Sequence, residues 1–391
     1  MADDERKVPD QKELEKELSD YLSKKYGAQV KIVSPMMLPK AAEKKAEGET
    51  TGSEAIKNIQ FDMKPEELEA YLNEYVIKQD EAKAILATKV CTHFNRIKHE
   101  RQSEKSQDPT VVGRIKNNII MIGPTGVGKT YMVKLIAAKL GVPFVKGDAT
   151  KFSETGYVGG DVEDLVRDLV NEANDDIELA QYGIVYIDEI DKIASSQNLI
   201  GPDVSRTGVQ RALLKPMEET DVDMKVPHDP ISQIQAIEQY RKTGKREKQV
   251  INTRNILFIM SGAFTALGEI VKKRVKKQGI GFGADLSSKA EEEQYLRMVK
   301  AEDLIQYGFE TEFVGRLPVV SIFEELTVDD LYAILKNPRN PLIDAKKVDF
   351  RAYGIDIRFE DEALRLLGER AHEERTGARG LVSVLEETVL P

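Results

Sequence analysis

One glycine-rich stretch of the sequence combines residue types that can hold a chain of phosphates. It reads Gly123-Pro124-Thr125-Gly126-Val127-Gly128-Lys129-Thr130 and fits the pattern GxxxxGK[ST]. Glycines allow backbone N–H groups to turn toward phosphate oxygens, and Lys129 would place a full positive charge beside the β- and γ-phosphates. Thr130 would be a ligand of Mg²⁺. The stretch therefore predicts a site for a nucleoside triphosphate with Mg²⁺.

A pair of carboxylates, Asp188 and Glu189, directly follows the apolar run 183–187. Parallel α/β sheets bind their ligands at the carboxyl ends of the strands, which is where this pair would lie. Asp188 would hold Mg²⁺ through water, and Glu189 would polarise the water that attacks the γ-phosphate. Such a glutamate favours an ATPase over a GTP switch. The alternative is that the two acidic residues only cap the next helix.

These groups require a sheet that presents the loop and the carboxylates at one edge. Four short apolar runs predict buried strands, at Ile119–Ile122, Val142–Val145, Ile184–Ile187 and Ile256–Met260. Because each run is continuous rather than alternating, both faces of the sheet should be covered, as in a parallel α/β fold. A helical pattern from Met63 to Glu100 precedes them.

The chain divides into four parts by composition. Residues 1–37 predict a small amino-terminal element of unknown role, and residues 38–60 have the charged, small-residue composition of a linker. Residues 61–325 predict the large α/β domain. Residues 326–391 predict a smaller, mainly helical α/β domain.

Within the smaller domain, the apolar spacing predicts three helices and one strand. The helices are expected at Thr327–Leu335, Glu360–His372 and Gly380–Val389, and the candidate strand at Ile355–Phe359. In the large domain, the strongly charged segment Gln233–Gln249 is interpreted as a surface insertion.

Overall composition excludes several classes of protein. The formal net charge of −10 argues against a general surface for nucleic acid or anionic membranes. The single cysteine, Cys91, cannot build a four-ligand zinc site or an internal disulfide, so no zinc is expected and the cytoplasm is the expected compartment. No apolar run approaches the roughly 20 residues of a membrane span, and the amino terminus lacks a secretory signal.

Five separated segments together resemble the ClpX family of AAA+ ATPases: GIVYIDEIDKI, GYVGGDVEDLV, GIGFGAD, EFVGRLPVV and TGARGL. The resemblance spans about residues 64–391. It implies an AAA+ P-loop sheet flanked by helices, and a homohexameric ring that uses ATP to unfold tagged or unfolded protein substrates. It also implies that the ring passes these substrates through its pore to a ClpP-type peptidase.

The same resemblance assigns further nucleotide contacts. Val76 and Ile77 would lie against the adenine, and Ser261 would sense the γ-phosphate. Arg316 would be an arginine finger that reaches the ATP of the neighbouring subunit, whereas Arg379 would contact the nucleotide of its own subunit. Taken alone, Arg316 could equally form a salt bridge that anchors the preceding turn.

The resemblance also assigns residues that handle the substrate and the peptidase. Tyr157 and Val158 would grip polypeptide in the axial pore, with Arg206 on a second pore loop. The triplet Ile280-Gly281-Phe282, framed by further glycines, would dock into the peptidase.

Three departures from the family accompany this likeness. The single cysteine excludes the amino-terminal zinc domain, ClpX-like sequences usually have Gly where Lys78 stands, and they continue beyond the position of Pro391. Two other functions remain open at this point. One is a remodelling chaperone ATPase without a peptidase, and the other is a scaffold that binds nucleotide without turnover.

Overall fold

The structure is a computed structural model, and it describes residues 56, 58–103, 116–153, 160–195, 204–224, 249–278 and 294–389. These residues belong to one unit of the chain, Thr51–Pro391. The predicted amino-terminal element, nearly all of the predicted linker and the charged insertion lie outside the described residues. So do Tyr157, Val158 and the triplet Ile280-Gly281-Phe282.

The strands of the described residues are β1 Ile119–Ile122, β2 Phe144–Asp148, β3 Ile184–Asp188, β4 Asp221–Asp223, β5 Val250–Asn252, β6 Leu257–Gly262 and β7 Val319–Ile322. Five of them form a parallel sheet in the order β2-β3-β6-β1-β7. Strands β4 and β5 pair separately and are antiparallel. The carboxyl ends of β1 and β3 therefore meet at one edge of the sheet, flanking that of β6.

The helices before the last strand of the sheet are α1 Pro65–Tyr75, α2 Asp80–Ser103, α3 Lys129–Leu140, α4 Asp164–Glu172, α5 Ile177–Ala180, α6 Val204–Met217, α7 Leu267–Gln278, α8 Ala301–Tyr307 and α9 Thr311–Gly315. The helices after it are α10 Val328–Lys336, α11 Pro341–Ala352, α12 Asp361–Glu373 and α13 Ala378–Val389. Short 3₁₀ helices follow β2 and β3.

Alternate residues of the strands enter two separate cores. Ile119, Met121 and Tyr186 pack with α1 to α3, and this core continues into α10, α12 and α13. Ile120 and Val185 face the other way and pack with α4, α6 and α7. Both faces of the sheet are thus covered, which confirms the predicted α/β class with a helical domain after it.

The edge strands differ from the sequence prediction. The bounds of β1 agree with it, but β2 begins at Phe144, after Pro143, and runs on to Asp148. Strand β7 was not predicted: it has only four residues, and burial alternates along it. Edge strands are covered less completely than central ones, so a search for continuous apolar runs locates them poorly.

The strand predicted at Ile355–Phe359 is wrong. These residues have no regular structure, and the backbone N–H of Ile355 donates to the carbonyl of Phe350 at 3.0 Å. Gly354, with φ of 74°, makes the turn that allows this bond. The segment therefore ends helix α11, in the manner of a Schellman motif, instead of pairing in a sheet.

The helical pattern predicted from Met63 to Glu100 is interrupted. Helix α1 ends at Tyr75 and α2 begins at Asp80, and Lys78 and Gln79 between them have φ of 60° and 65°. Because such angles are uncommon for residues other than glycine, this turn must be held by other contacts.

A buried histidine on α2 gives the fold a testable pH dependence. His93 Nε2 lies 2.9 Å from the carbonyl oxygen of Asn255, to which it donates, and burial lowers the pKa of His93 to about 4. The pKa in the unfolded chain is about 6.5. Between these values the unfolded chain binds more protons, so the free energy of unfolding should fall by about 3 kcal/mol as pH drops from 6.5 to 4.

We expect His93→Gln to remove this part of the pH dependence, because an amide can still donate to Asn255 but does not titrate. Urea unfolding of both proteins at pH 7 and pH 4.5 measures the effect. His99→Gln, on the exposed side of the same helix, is the control and should keep the original slope. An unchanged slope in His93→Gln would contradict the assignment.

Candidate nucleotide-binding site

The glycine-rich stretch joins β1 to α3, as its pattern predicts. Gly128 is the residue before α3 and has φ of 97°, so it turns the chain into the helix. Gly126 has φ of 76°, and a Cβ there would lie 2.0 Å from the carbonyl oxygen of Thr376. The carbonyl of Gly126 accepts a hydrogen bond from the backbone N–H of Ala378 at 2.8 Å. The loop is thus packed directly against the start of α13.

Lys129 is the first residue of α3, and its side chain reaches back to the start of this loop. Its ammonium donates to the carbonyls of Gly123 at 2.5 Å and Pro124 at 2.6 Å. Burial lowers the pKa of Lys129 to about 8, against the opposing effect of Asp188. An ammonium that is held by carbonyls and poorly hydrated is suited to a phosphate anion, which can replace these partners.

Asp188 and Glu189 end β3 beside the loop. The Asp188 carboxylate pairs with Lys146 at 2.8 Å and accepts a hydrogen bond from the backbone N–H of Glu189 at 3.1 Å. Glu189 is exposed and has φ of 57°, a left-handed conformation at the start of the 3₁₀ helix Ile190–Ile193. The left-handed conformation of Glu189 turns the chain from the end of β3 into this 3₁₀ helix.

A tyrosine hydroxyl joins α3 to β3 at this edge. Thr130 Oγ1 donates to the Tyr186 hydroxyl at 3.0 Å. Ser261 lies on the neighbouring strand β6, and its buried hydroxyl has no hydrogen-bond partner among the described residues. Burial raises the pKa of Tyr186 to about 12, so the phenol remains protonated. Ser261 is fully buried. The sequence did not single out Tyr186, because an aromatic residue in a buried strand is ordinarily a core residue.

These groups surround a cavity of about 420 Å³. Residues predicted from the sequence to bind nucleotide or Mg²⁺ supply much of its lining: Val76, Ile77, Thr125, Gly126, Val127, Gly128, Lys129, Thr130, Asp188 and Arg379. The others are Tyr75, Tyr131, Tyr186, Leu326, Ile334, Asn340, Leu342, Ala378 and Val382. Most of the second group is aromatic or aliphatic, which suits the face of a nucleobase.

Much of that second group could not be found from the sequence. Tyr75 and Tyr131 lie next to predicted contacts, and that adjacency is a usable signal. Leu342 and Val382, by contrast, belong to α11 and α13, and only the tertiary packing of the small domain brings them to the loop. The cavity is therefore formed jointly by residues of the large α/β domain and residues of the small helical domain.

Lys78 and Gln79 connect the cavity to the segment that leads into the small domain. The Gln79 amide donates to the carbonyl of Glu324 at 2.8 Å and accepts from the N–H of the same residue at 2.9 Å. Lys78 Nζ donates to the carbonyl of Glu325 at 2.6 Å and lies 3.4 Å from Asp330. These contacts account for the left-handed turn, and Lys78 makes use of a side chain that glycine would lack.

The three predicted arginines lie in different places. Arg379 lines the cavity. Arg316 is not among the described residues that line it; its side chain is 45% exposed and pairs with Glu218. Arg206 is exposed at the start of α6 and donates to the carbonyl of Ala194 at 3.3 Å. The salt bridge considered as the alternative for Arg316 is thus present, yet the guanidinium remains half open to solvent.

The residues at this edge fit a nucleotide-bound Mg²⁺. The Thr130 hydroxyl and the Asp188 carboxylate line the same cavity, and both offer the oxygen ligands that Mg²⁺ prefers. Mg²⁺ commonly takes only one or two protein ligands and completes its shell with phosphate and water.

Comparisons with known proteins agree with this architecture. The family model for the AAA domain (Cdc48 subfamily) matches residues 114–320, and the model for the C-terminal, D2-small domain, of ClpB protein matches residues 326–391. The ATP-dependent Clp protease ATP-binding subunit ClpX of Treponema denticola is 39% identical over 330 residues, which cover 83% of this chain and 75% of the relative. The chain belongs to the ClpX family. Its ClpX relatives from Borrelia duttonii and Borrelia recurrentis are each 41% identical over 325 residues, covering 83% of this chain and 72% of theirs.

Membership of the ClpX family confirms the resemblance predicted from the five sequence segments, and with the AAA domain it identifies the chain as an ATPase. In this ClpX-family chain, the helices within the described ranges are too short or too polar to cross a membrane.

Proposed function

We propose that the chain is an ATP-driven protein unfoldase that works as a homohexameric ring in the cytoplasm and delivers its substrates to a ClpP-type peptidase. The observation that carries this proposal is the cavity between the phosphate loop, Asp188 at the end of β3, and α13. It combines the parts needed for ATP hydrolysis with a wall from the helical domain. Residues 61–325 would be the large domain and residues 326–391 the small one.

Each residue around the phosphates has a proposed role. The loop from Gly123 to Gly128 holds the phosphates through its backbone N–H groups, and Lys129 neutralises their charge. Thr130 and Asp188 hold Mg²⁺, which supplies charge stabilisation at the transferred phosphoryl group. Glu189 orients and polarises the attacking water, and Ser261 contacts the γ-phosphate.

The adenine lies between Val76, Ile77 and the apolar side chains of the small domain. Arg379 then contacts the nucleotide from the same subunit. Because Arg316 lies outside its own cavity, we propose that it completes the site of the neighbouring subunit. Hydrolysis would therefore require assembly.

The work of the motor is proposed to occur at the three sites named from the sequence. Tyr157 and Val158 would grip the polypeptide, with Arg206 beside them in the pore, and the triplet Ile280-Gly281-Phe282 would hold the peptidase. Folded domains are stable by about 5–15 kcal/mol, so unfolding them requires repeated cycles of ATP hydrolysis coupled to such a grip.

Phe282→Ala tests delivery to a peptidase. We expect degradation of a tagged, folded substrate by a ClpP-type peptidase to fall at least about tenfold, because an aromatic anchor would be lost from every docking loop. ATP hydrolysis and unfolding without peptidase should stay within about twofold of the unmutated protein, since Phe282 has no assigned role in ATP hydrolysis.

Met298→Ala, which truncates an exposed apolar side chain outside the triplet, is the matched control and should support normal degradation. Normal degradation by Phe282→Ala, or failure of the unmutated protein to bind the peptidase, would instead support a remodelling chaperone that works alone.

A further inference from the structure

Helix α6 contacts both the segment that follows Glu189 and the segment that leads into Arg316. These two residues have separate roles in the proposed function. The side chain of Gln210, in the middle of α6, is fully buried. Its amide nitrogen donates to the carbonyl of Ile193 at 2.8 Å, and its amide oxygen accepts from the backbone N–H of Glu310 at 2.8 Å. Ile193 ends the 3₁₀ helix that follows Glu189, and Glu310 precedes α9. One buried amide thus joins the segment after the carboxylates to the helix that leads into Arg316.

The outer side of the same junction is fixed by an ion pair. The guanidinium of Arg211 donates to the Glu310 carboxylate through two nitrogens, at 2.8 and 3.1 Å. A two-nitrogen contact of this kind fixes orientation as well as distance. The start of α9 is therefore held against α6 from the buried and the exposed side.

The end of α6 contacts Arg316 itself. Glu218, the first residue after α6, places its carboxylate in an ion pair with Arg316 Nη2. The backbone carbonyl of Glu218 accepts from Lys116 Nζ at 2.6 Å and from Thr253 Oγ1 at 3.0 Å. The carbonyl of Arg316 accepts from the Asn118 amide at 3.1 Å. The backbones on both sides of the ion pair are thus anchored to the sheet.

We propose that Glu218 is a positioning residue for Arg316, and that α6 sets the place of the guanidinium relative to the subunit's own ATP site. This inference rests on the proposed function, in which Arg316 acts on the neighbouring subunit. A long arginine side chain that is half exposed samples many rotamers, and a carboxylate carried by an anchored backbone favours those that point toward it. The ion pair joins Nη2 to a carboxylate oxygen of Glu218, and a guanidinium carries five N–H donors, so donors remain for a phosphate.

Glu218→Gln keeps the shape of the side chain and removes the charge that directs Arg316. In the assembled full-length protein, we expect kcat for ATP hydrolysis to fall about tenfold, because misplacing a catalytic group by a small distance has effects of this size or larger. The affinity of the subunit for ATP should stay within about twofold, since Glu218 does not line the cavity. Glu219→Gln, which removes the adjacent exposed carboxylate, is the matched control and should leave kcat unchanged.

The deciding measurement is the same substitution in an Arg316→Ala background, with radiolabelled ATP to follow slow turnover. A residue that acts through Arg316 should cause no further loss there. Normal or raised kcat in Glu218→Gln, or an equal loss in both backgrounds, would overturn the inference. If Arg316→Ala alone leaves turnover intact, the proposed role of Arg316 fails instead, so the two failures are distinguishable.

Discussion

Glu189→Gln is expected to retain ATP and Mg²⁺ and to hydrolyse ATP about 10²–10⁴ times more slowly, which is the usual contribution of a positioned base. Glu189 is exposed at the end of β3, beside Asp188, and an amide of the same size can occupy the same strained turn. Since Asp188 and Thr130 line the cavity and Glu189 lies beyond it, the substitution should separate binding from hydrolysis.

Two measurements are needed on the full chain: the dissociation constant for ATP with Mg²⁺, and the rate of phosphate release. Glu172→Gln, at the exposed end of α4, is a matched control that changes the same chemical group away from the site. Turnover by Glu189→Gln within about twofold of the unmutated protein would remove Glu189 from its proposed role.

The second large effect is expected from Arg316→Ala. An arginine that stabilises the transferring phosphoryl group contributes about 10³–10⁵ in rate, so the assembled variant should be nearly inactive. Binding of ATP to the subunit should be almost unchanged, because Arg316 does not line the cavity in the described residues.

A mixing experiment separates action across an interface from action within one subunit. Lys129→Ala subunits lack the loop lysine but keep Arg316, and Arg316→Ala subunits have the opposite defect. In mixed rings, some interfaces would combine an intact loop from one subunit with an intact arginine from the next. Partial recovery of ATPase activity is therefore expected on mixing. If no ratio restores activity, Arg316 does not act on a neighbouring subunit.

The part of the site that would hold the phosphates was predictable because the residues of its loop are consecutive in the sequence. The loop Gly123–Gly128 encodes its own backbone shape, β1 before it is a central strand, and the predicted bounds of β1 agree with the structure. The carboxylates at the end of β3 followed from the rule for parallel sheets.

The part of the cavity that would hold the adenine was not predictable from the residues alone, because its residues are far apart in the sequence. Leu342 and Val382 are ordinary amphipathic-helix residues in the sequence, and only long-range packing brings them to the loop. A local cause explains the wrong prediction of a strand at Ile355–Phe359. Its apolar residues suggested pairing, but its backbone donor was already used to end α11.

The contact between Gly126 and Ala378 has a consequence for the synthesis of the protein. Arg379 follows Lys129 by about 250 residues, so a ribosome adding roughly 5–20 residues per second exposes the phosphate loop on the order of ten seconds to a minute before α13 exists. During that interval the nascent chain has a loop without the wall that closes its cavity. Any stabilisation of the nascent chain by ATP should therefore reach its full size only once α13 has left the ribosome.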